Sequence, residues 1–522
     1  MAQSIEHRGA EACQTLPEIQ AWAAGNHAST EAYVELDTQG ASRQAVSFSG
    51  LHESSLALAA WMELRGIGPG SVLALVAAPS IAYATAYAAA ARLGAVTSGI
   101  NPRLGERERR EILEMLEPEL LLADDPGTYP AAIDLREALS ASMALTEPTL
   151  PMPIDGEAPV TIVWTSGTTG KPKGAVFTHR ALRAVARGVD VLSQPGDRRL
   201  SPVPFAHVAY MTRVWDEAEH GITTVISPQP WRASTTIAVM EREGVTVGQG
   251  VPTQWELILA DPKLESADLS ALRLAGTGAA RMAPDRVAAL RNRLGVPVIV
   301  RYTSTETSLG TGTRPGDADD IVATTVGQPV PGVQLSLLDD EAKPVAVGEV
   351  GRVVLRSDAT MLAYLAGRDP SSPHGLRMDE ERTREVRRDD GSIITGDFGM
   401  LDAAGNLSLV GRANELYQRG GYNVYPAEVE VVISALDGVK QVAVVGAADP
   451  ILGEVGVAVL ALEAGKEIAL EDLREAVKAV LADYKAPDAL LILDELPLTP
   501  MMKIDRTSLQ APCEEAARVR SR

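Results

Sequence analysis

The chain has 522 residues, 45% of them apolar, and carries 69 acidic against 48 basic side chains, for a formal net charge of -21. That length exceeds one ordinary core and asks for several folding units of about 150 residues each, while the negative charge repels phosphate backbones and anionic membranes and so excludes general nucleic-acid binding. Cys13 and Cys513 stand near opposite ends, too few for a disulfide framework or a thiolate metal site.

Taken in chain order, the first residues, MAQSIEHRGAEACQ, lack a basic stretch followed by an apolar run, so no secretory signal is expected and the cytoplasm is the expected compartment. The most apolar window, Val72 to Ile100, contains Pro79, Ser80 and Arg92. It divides into a strand at Val72–Val76, a helix at Ile81–Leu93 and a strand from Ala95 to Thr97, not one membrane span. Similar β-branched runs at Thr223–Ile226 and Val296–Val300, alternating with Ala-rich amphipathic stretches, predict α/β sheets joined by crossover helices.

Between Val326 and Leu355 shorter runs split by Gly332, Asp339-Asp340 and Gly348 predict a small all-β subdomain, and the polar stretch Asp369–Gly391 reads as a surface excursion. Beyond Gly411 the texture changes again. Strands are expected at Val442–Val445, Gly456–Leu462 and Leu490–Leu493, with a helix at Leu470–Leu481 that places Leu473, Val477 and Val480 on one face. The expected fold class is therefore α/β: a large N-terminal domain, residues 1–412, of α/β subdomains plus a small β subdomain, then a small α+β C-terminal domain, residues 413–522.

The most informative run is Thr165 to Gly174, TSGTTGKPKG. Glycines let main-chain N–H groups approach an anion, hydroxyls donate to its oxygens and lysines offset its charge, so the run reads as a polyphosphate cradle. It follows the strand-like stretch Val160–Trp164 and precedes a helix-like one from Thr178 to Val189, which predicts a strand, loop, helix context. It is not a Walker loop, because Pro172 follows Gly170-Lys171 and Thr165 stands where the first glycine should be.

The run resembles the signature of adenylate-forming enzymes, the superfamily of acyl-CoA synthetases, luciferases and peptide-synthetase adenylation domains, and is closest in pattern to bacterial acyl-CoA ligases. Further segments extend that resemblance from about residue 45 to the C-terminus. Val203 to His207 resembles P-x-x-H, which implies His207 beside the acyl pocket and the pantetheine tunnel, with Ala206 in place of an often bulky residue. Leu274 to Arg281, LAGTGAAR, resembles the glycine-rich stretch lining adenine and acyl group, which implies Gly278, Ala279 and Ala280 there.

Arg301 to Glu306, RYTSTE, resembles Y-G-x-T-E and implies Tyr302 against adenine, Thr305 on the α-phosphate and Glu306 as the Mg²⁺ ligand, with Thr303 where glycine is usual. Thr395-Gly396-Asp397 resembles the T-G-D whose aspartate accepts from both ribose hydroxyls. Gly411 to Glu430 resembles the longest family signature. It implies Arg412 on ribose or phosphate, a domain hinge at Asn414 in place of Asp or Lys, and Gly420 and Gly421 along the tunnel; Gln418 stands where Lys is frequent. Leu496 to Arg506 resembles the closing motif, with Lys503 as the lysine that enters the site during adenylation and Met502 in place of glycine.

The resemblance thus implies ATP as nucleotide, bound by Thr165, Ser166, Gly167, Thr168, Thr169, Gly170 and Lys173 with the residues above, Mg²⁺ at Glu306, and coenzyme A as cosubstrate. Lys503, Glu306, Thr305 and His207 would be catalytic. A carboxylate would attack the α-phosphorus, pyrophosphate would leave, and a thiol would capture the acyl-adenylate after the mobile C-terminal domain turns at Asn414. The acid is left open, with Val208, Ala209, Trp215 and Gly278 to Ala280 as pocket candidates, and a homodimer is the assembly the resemblance allows. Two alternatives stand beside this: transfer to an amine or a separate carrier protein, and a nucleotide-binding protein without turnover.

Overall fold

A computed structural model describes residues 9–37, 42–129, 131–145, 154–165, 172–278, 282, 284–413, 415–499 and 503–520. Among them the strands form four sheets. Val72–Val76 is five consecutive buried residues, as expected of a strand covered on both faces. It lies parallel to Val96–Ile100 and Leu120–Ala123 in the middle of an eight-stranded sheet. The helix between the first two strands, Ile81–Arg92, starts where the Ser80 hydroxyl accepts from the Tyr83 N–H at 3.1 Å. Its alanines keep it slim enough to be buried on every side after Ile81. Arg92 closes it, buried, and donates to the Ser55 hydroxyl at 2.8 Å.

A nine-stranded sheet holds the parallel strands Val298–Tyr302, Leu274–Gly278, Val247–Gly250, Arg198–Ser201, Thr223–Ile226 and Glu31–Leu36 in that spatial order. A four-stranded antiparallel sheet, Gln334–Leu338, Val350–Arg356, Ile393–Leu401 and Leu407–Arg412, is the small β subdomain. The C-terminal domain is built on Val439–Asp449 and Gly453–Leu462, with Ala489–Ile492 parallel to the latter. The helices Pro426–Ser434, Leu470–Val480 and Arg506–Arg520 complete it. The chain is therefore a large mixed α/β N-terminal domain followed by a small C-terminal one. No helix among the described residues is long and apolar enough to cross a membrane, and Cys13 and Cys513 are free and buried.

Two expectations need correction, and the surface excursion gains local structure. The cradle is not followed directly by a helix: Lys173–Thr178 is a strand paired antiparallel with Pro159–Thr165, and the helix begins only at His179. Val176 and Phe177, both buried, hold that segment in the sheet, so no helix N-terminus stands directly behind the loop. The excursion at 369–391 contains a strand, Leu376–Asp379, paired with Ala363–Arg368, and a short helix, Glu380–Val386. On the helix Leu470–Val480, Leu473 and Val477 are buried but Val480 is 70% exposed at its end.

Burial sets an acid limit on this fold. His179 accepts the Leu16 N–H on Nδ1 at 3.1 Å, and burial pushes its pKa down to about 4. Burial and then the Arg92 charge bring His52 to about 4 as well. Both imidazoles are neutral when folded and titrate near 6.5 when unfolded. The stability they contribute is thus complete above about pH 6.5 and is lost as pH falls towards 4, by up to roughly 3 kcal/mol each. Unfolding by urea at pH 7.5 and at pH 5 should show this loss, and His179→Asn, whose oxygen can accept from Leu16, should make it shallower. Equal stability at both pH values would contradict it.

Candidate active site

The site lies where the parallel strands of the nine-stranded sheet end, the usual place for a ligand in an open α/β sheet. Gly278 and Tyr302 are the last residues of adjacent strands, with Gly278 in register with Arg301. Tyr302 points to the small β sheet. Its buried hydroxyl donates to Asp397 Oδ2 at 2.6 Å and lies 3.3 Å from the Thr395 hydroxyl. Burial and the Asp397 charge hold that phenol far above its usual pKa, so it remains a donor.

Asp397 and Arg412 face each other across the antiparallel pair Ile393–Leu401 and Leu407–Arg412, and Arg412 Nε donates to Asp397 Oδ1 at 3.1 Å. Thr395, the first residue of T-G-D, donates to the Val353 carbonyl and accepts the Asp397 N–H. The triplet is thus held as part of the strand Ile393–Leu401.

Lys503 comes from the C-terminal domain. An isolated bridge pairs Leu498 with Ile504, the Thr499 N–H donates to the Lys503 carbonyl at 2.7 Å, and the Lys503 N–H reaches the Thr499 hydroxyl at 3.3 Å. This pairing presents the lysine to Arg412 and Asp397 of the N-terminal domain. Burial first, and the Arg412 charge second, lower its pKa, with Asp397 acting in the opposite sense. The Phe398 and Tyr425 rings, one from each domain, meet edge to face at 5.5 Å.

His207 is the N-cap of the short helix Val208–Met211, and its Nδ1 accepts the Ala209 N–H at 3.1 Å. That bond leaves Nε2 as the protonated nitrogen. Burial and then the nearby Lys503 bring its pKa down to about 4, so the ring is neutral at ordinary pH. Val208 is buried, Ala209 is exposed on the same turn, and Trp215 is fully buried in the core.

Glu306 follows in the turn after Tyr302, where Thr305 also lies. Tyr364 was not singled out in the sequence, yet its hydroxyl donates to Glu306 Oε1 at 2.7 Å and its ring lies 5.5 Å from Lys173 Nζ. Among the described residues no hydrogen bond reaches Oε2. A lone, oriented carboxylate suits a hard cation whose other ligands are phosphate oxygens and water, and among the described residues no cluster of three His, Cys, Asp or Glu forms an all-protein metal cage. Thr303 is exposed, and its backbone is not left-handed, so the β-branched residue is accommodated where glycine is usual.

Tyr302, Asp397, Arg412, Lys503 and His207 thus converge, with Glu306, Tyr364 and Lys173 beside them. Thr165 ends its strand in register with Lys173 at the mouth of the cradle. Gly420 and Gly421 are elsewhere: both have positive φ and form the exposed turn between Tyr417–Arg419 and Tyr422–Val424, and no hydrogen bond among the described residues joins them to this cluster. Ser166, Gly167, Thr168, Thr169, Gly170, Ala279, Ala280, Asn414 and Met502 lie outside the described residues.

Residues 19–365 match the family model described as AMP-binding enzyme, and residues 428–503 match that of the AMP-binding enzyme C-terminal domain. Indoleacetate–CoA ligase of Aromatoleum aromaticum is 31% identical over 478 residues, 87% of this chain and 90% of its own. The fatty acyl CoA synthetase structure from Mycobacterium tuberculosis superposes with a TM-score of 0.74 at 26% identity, over 96% of this chain and 99% of that one. The amide bond synthetase McbA of Marinactinospora thermotolerans gives 0.78 at 26% identity, over 92% and 96%.

Proposed function

Because the chain belongs to the AMP-binding enzyme family, we propose that it activates a carboxylic acid with ATP to an acyl-adenylate and passes the acyl group to coenzyme A, releasing pyrophosphate and AMP. The observation that carries this reading is the meeting of Lys503 with Asp397, Arg412 and His207 at the ends of the strands Leu274–Gly278 and Val298–Tyr302.

Two anions must meet in the first step, and their repulsion has to be offset where the charge develops. Asp397 accepts the ribose hydroxyls, Tyr302 flanks the adenine with Gly278, Ala279 and Ala280, and Arg412 holds ribose or phosphate. Thr165 to Gly170, with Lys173, cradles the β- and γ-phosphates, Thr305 donates to the α-phosphate and Lys503 neutralises the departing pyrophosphate. Mg²⁺ held at Glu306 would supply charge neutralisation of the phosphates. Neutral His207 lines the acyl entrance without adding charge.

In the second step residues 413–522 turn at Asn414, Lys503 withdraws, and the Gly420-Gly421 turn borders the path of the thiol. An amine acceptor is a second reading, favoured by the likeness to an amide bond synthetase. Acid-dependent exchange of labelled pyrophosphate into ATP tests the shared first step, and mass spectrometry with coenzyme A or amines added separates the acceptors. Absence of exchange with every acid in a broad panel would refute both.

A further inference from the structure

The helices Leu16–Asn26, Phe48–Glu63, Ile81–Arg92 and Val214–His220 carry none of the proposed nucleotide residues, yet together they line a cavity. Ala84 and Ala88, four residues apart on one helical face, leave the space open. It is small: about 20 Å³ is open to the centre of a water-sized body, which is room for one such body.

Part of the polar lining is already satisfied. Glu217 accepts the Tyr33 hydroxyl on Oε2 at 2.8 Å and the Thr224 hydroxyl on Oε1 at 2.7 Å, and the Tyr33 and Tyr210 hydroxyls lie 3.1 Å apart. Burial favours the neutral form of that carboxyl.

Arg92, Gln20 and His52 line the same cavity and are not satisfied. Arg92 is 6% exposed. Its Nε donates to the Ser55 hydroxyl at 2.8 Å and its Nη2 to His52 Nδ1 at 2.6 Å, two neutral partners. Among the described residues no hydrogen bond reaches Nη1, and burial alone, with no acidic charge opposing it, lowers this guanidinium to about 10. Arg92 ends its helix, whose C-terminal dipole supplies only about half a negative charge. The remainder is a buried charge without a counter-charge, which is costly. Beside it, Gln20 Oε1 is buried with no hydrogen-bond partner. The two ends of a side-chain amide occupy nearly the same space, so Gln20 can present its NH₂ donors there instead. His52, accepting on Nδ1, carries its proton on Nε2 and is a third donor.

We propose that this cavity binds one small monovalent inorganic anion of chloride size, held by Arg92 Nη1 with the Gln20 amide and the His52 ring beside it. A water molecule would fill the space and leave the charge unmatched, and a carboxylate or phosphate is too large for it. The anion would tie the helices Leu16–Asn26 and Phe48–Glu63 to the end of Ile81–Arg92. The site is independent of the ligase reading, and neither stands or falls with the other.

The test uses the whole chain with bromide as probe. Crystals soaked in sodium bromide should show an anomalous-scattering peak beside Arg92 Nη1. In solution, replacing sodium gluconate by sodium chloride or bromide at fixed ionic strength should raise the unfolding midpoint by about 2 °C once the halide is tenfold above its Kd. Gln20→Leu should weaken halide binding at least about tenfold, and Arg92→Met should abolish the dependence. If Arg92→Met does not fold, Gln20→Leu and the bromide peak decide the matter. A cavity holding water but no bromide, or an equal halide effect in the wild type and Gln20→Leu, would overturn the proposal. A bromide peak with no shift in solution would mark an adventitious ion only and would overturn it too.

Discussion

Lys503→Ala is expected to slow adenylation on the order of a hundredfold or more while transfer from a supplied acyl-adenylate to coenzyme A continues nearly unchanged. The first part follows from where the amine sits: in the docked arrangement its charge reaches Asp397, Arg412 and His207, and a donor that acts only as pyrophosphate departs affects the transition state more than binding. The second follows from the domain turn, which would carry the Leu498–Ile504 bridge and Lys503 away. Because burial and Arg412 lower the Lys503 pKa, adenylation by the wild type should fall, as pH rises, before the ordinary lysine range is reached, and Lys503→Arg should move that fall to higher pH. Equal losses in both half-reactions of a folded Lys503→Ala variant would refute the domain alternation. Normal adenylation would remove Lys503 from the mechanism.

The second large effect is expected for Asp397→Ala. In the structure both oxygens of this carboxylate are engaged, Oδ2 by the Tyr302 hydroxyl and Oδ1 by Arg412, so it ties the end of the strand Val298–Tyr302 to Arg412. Losing a charged acceptor should cost roughly 1.5 to 3 kcal/mol of nucleotide or transition-state binding, about one to two decades in kcat/KM for ATP. The change also leaves buried Tyr302 without its principal acceptor. Steady-state kinetics with varied ATP, alongside a melting curve, measure the effect, and unchanged kinetics would reduce the T-G-D triplet to a structural turn.

What the sequence made legible follows from the range of the interactions involved. The fully buried strand Val72–Val76, the Ser80-capped helix Ile81–Arg92 and the paired strands of the C-terminal domain declare themselves through local patterns of burial, branching and capping. The cradle's real context did not, because Lys173–Thr178 is a strand by virtue of partners on both sides, Pro159–Thr165 and Ala363–Arg368. Its place ahead of a helical run disguised that pairing.

At the site, Tyr302, Asp397, Arg412, His207 and Lys503 were visible as motif residues and do converge. The residues that orient them were not. Tyr364 lies 58 positions from Glu306 and in no motif, and Thr499 acts on Lys503 through its backbone N–H. Such partners are specified by tertiary packing, and no spacing rule in one sequence carries them. Gly420 and Gly421 show the converse: their positive φ marks a necessary turn, and the place proposed for them along the thiol's path would require a second arrangement of the domains.

The central claim is that a carboxylate oxygen attacks the α-phosphorus of ATP. It is tested most directly by running the complete reaction with an ¹⁸O-labelled acid and coenzyme A and weighing the nucleotide product. The account predicts AMP carrying one ¹⁸O atom per acyl-CoA formed, with unlabelled pyrophosphate. Label in inorganic phosphate with ADP as the nucleotide, or AMP without label, would contradict it.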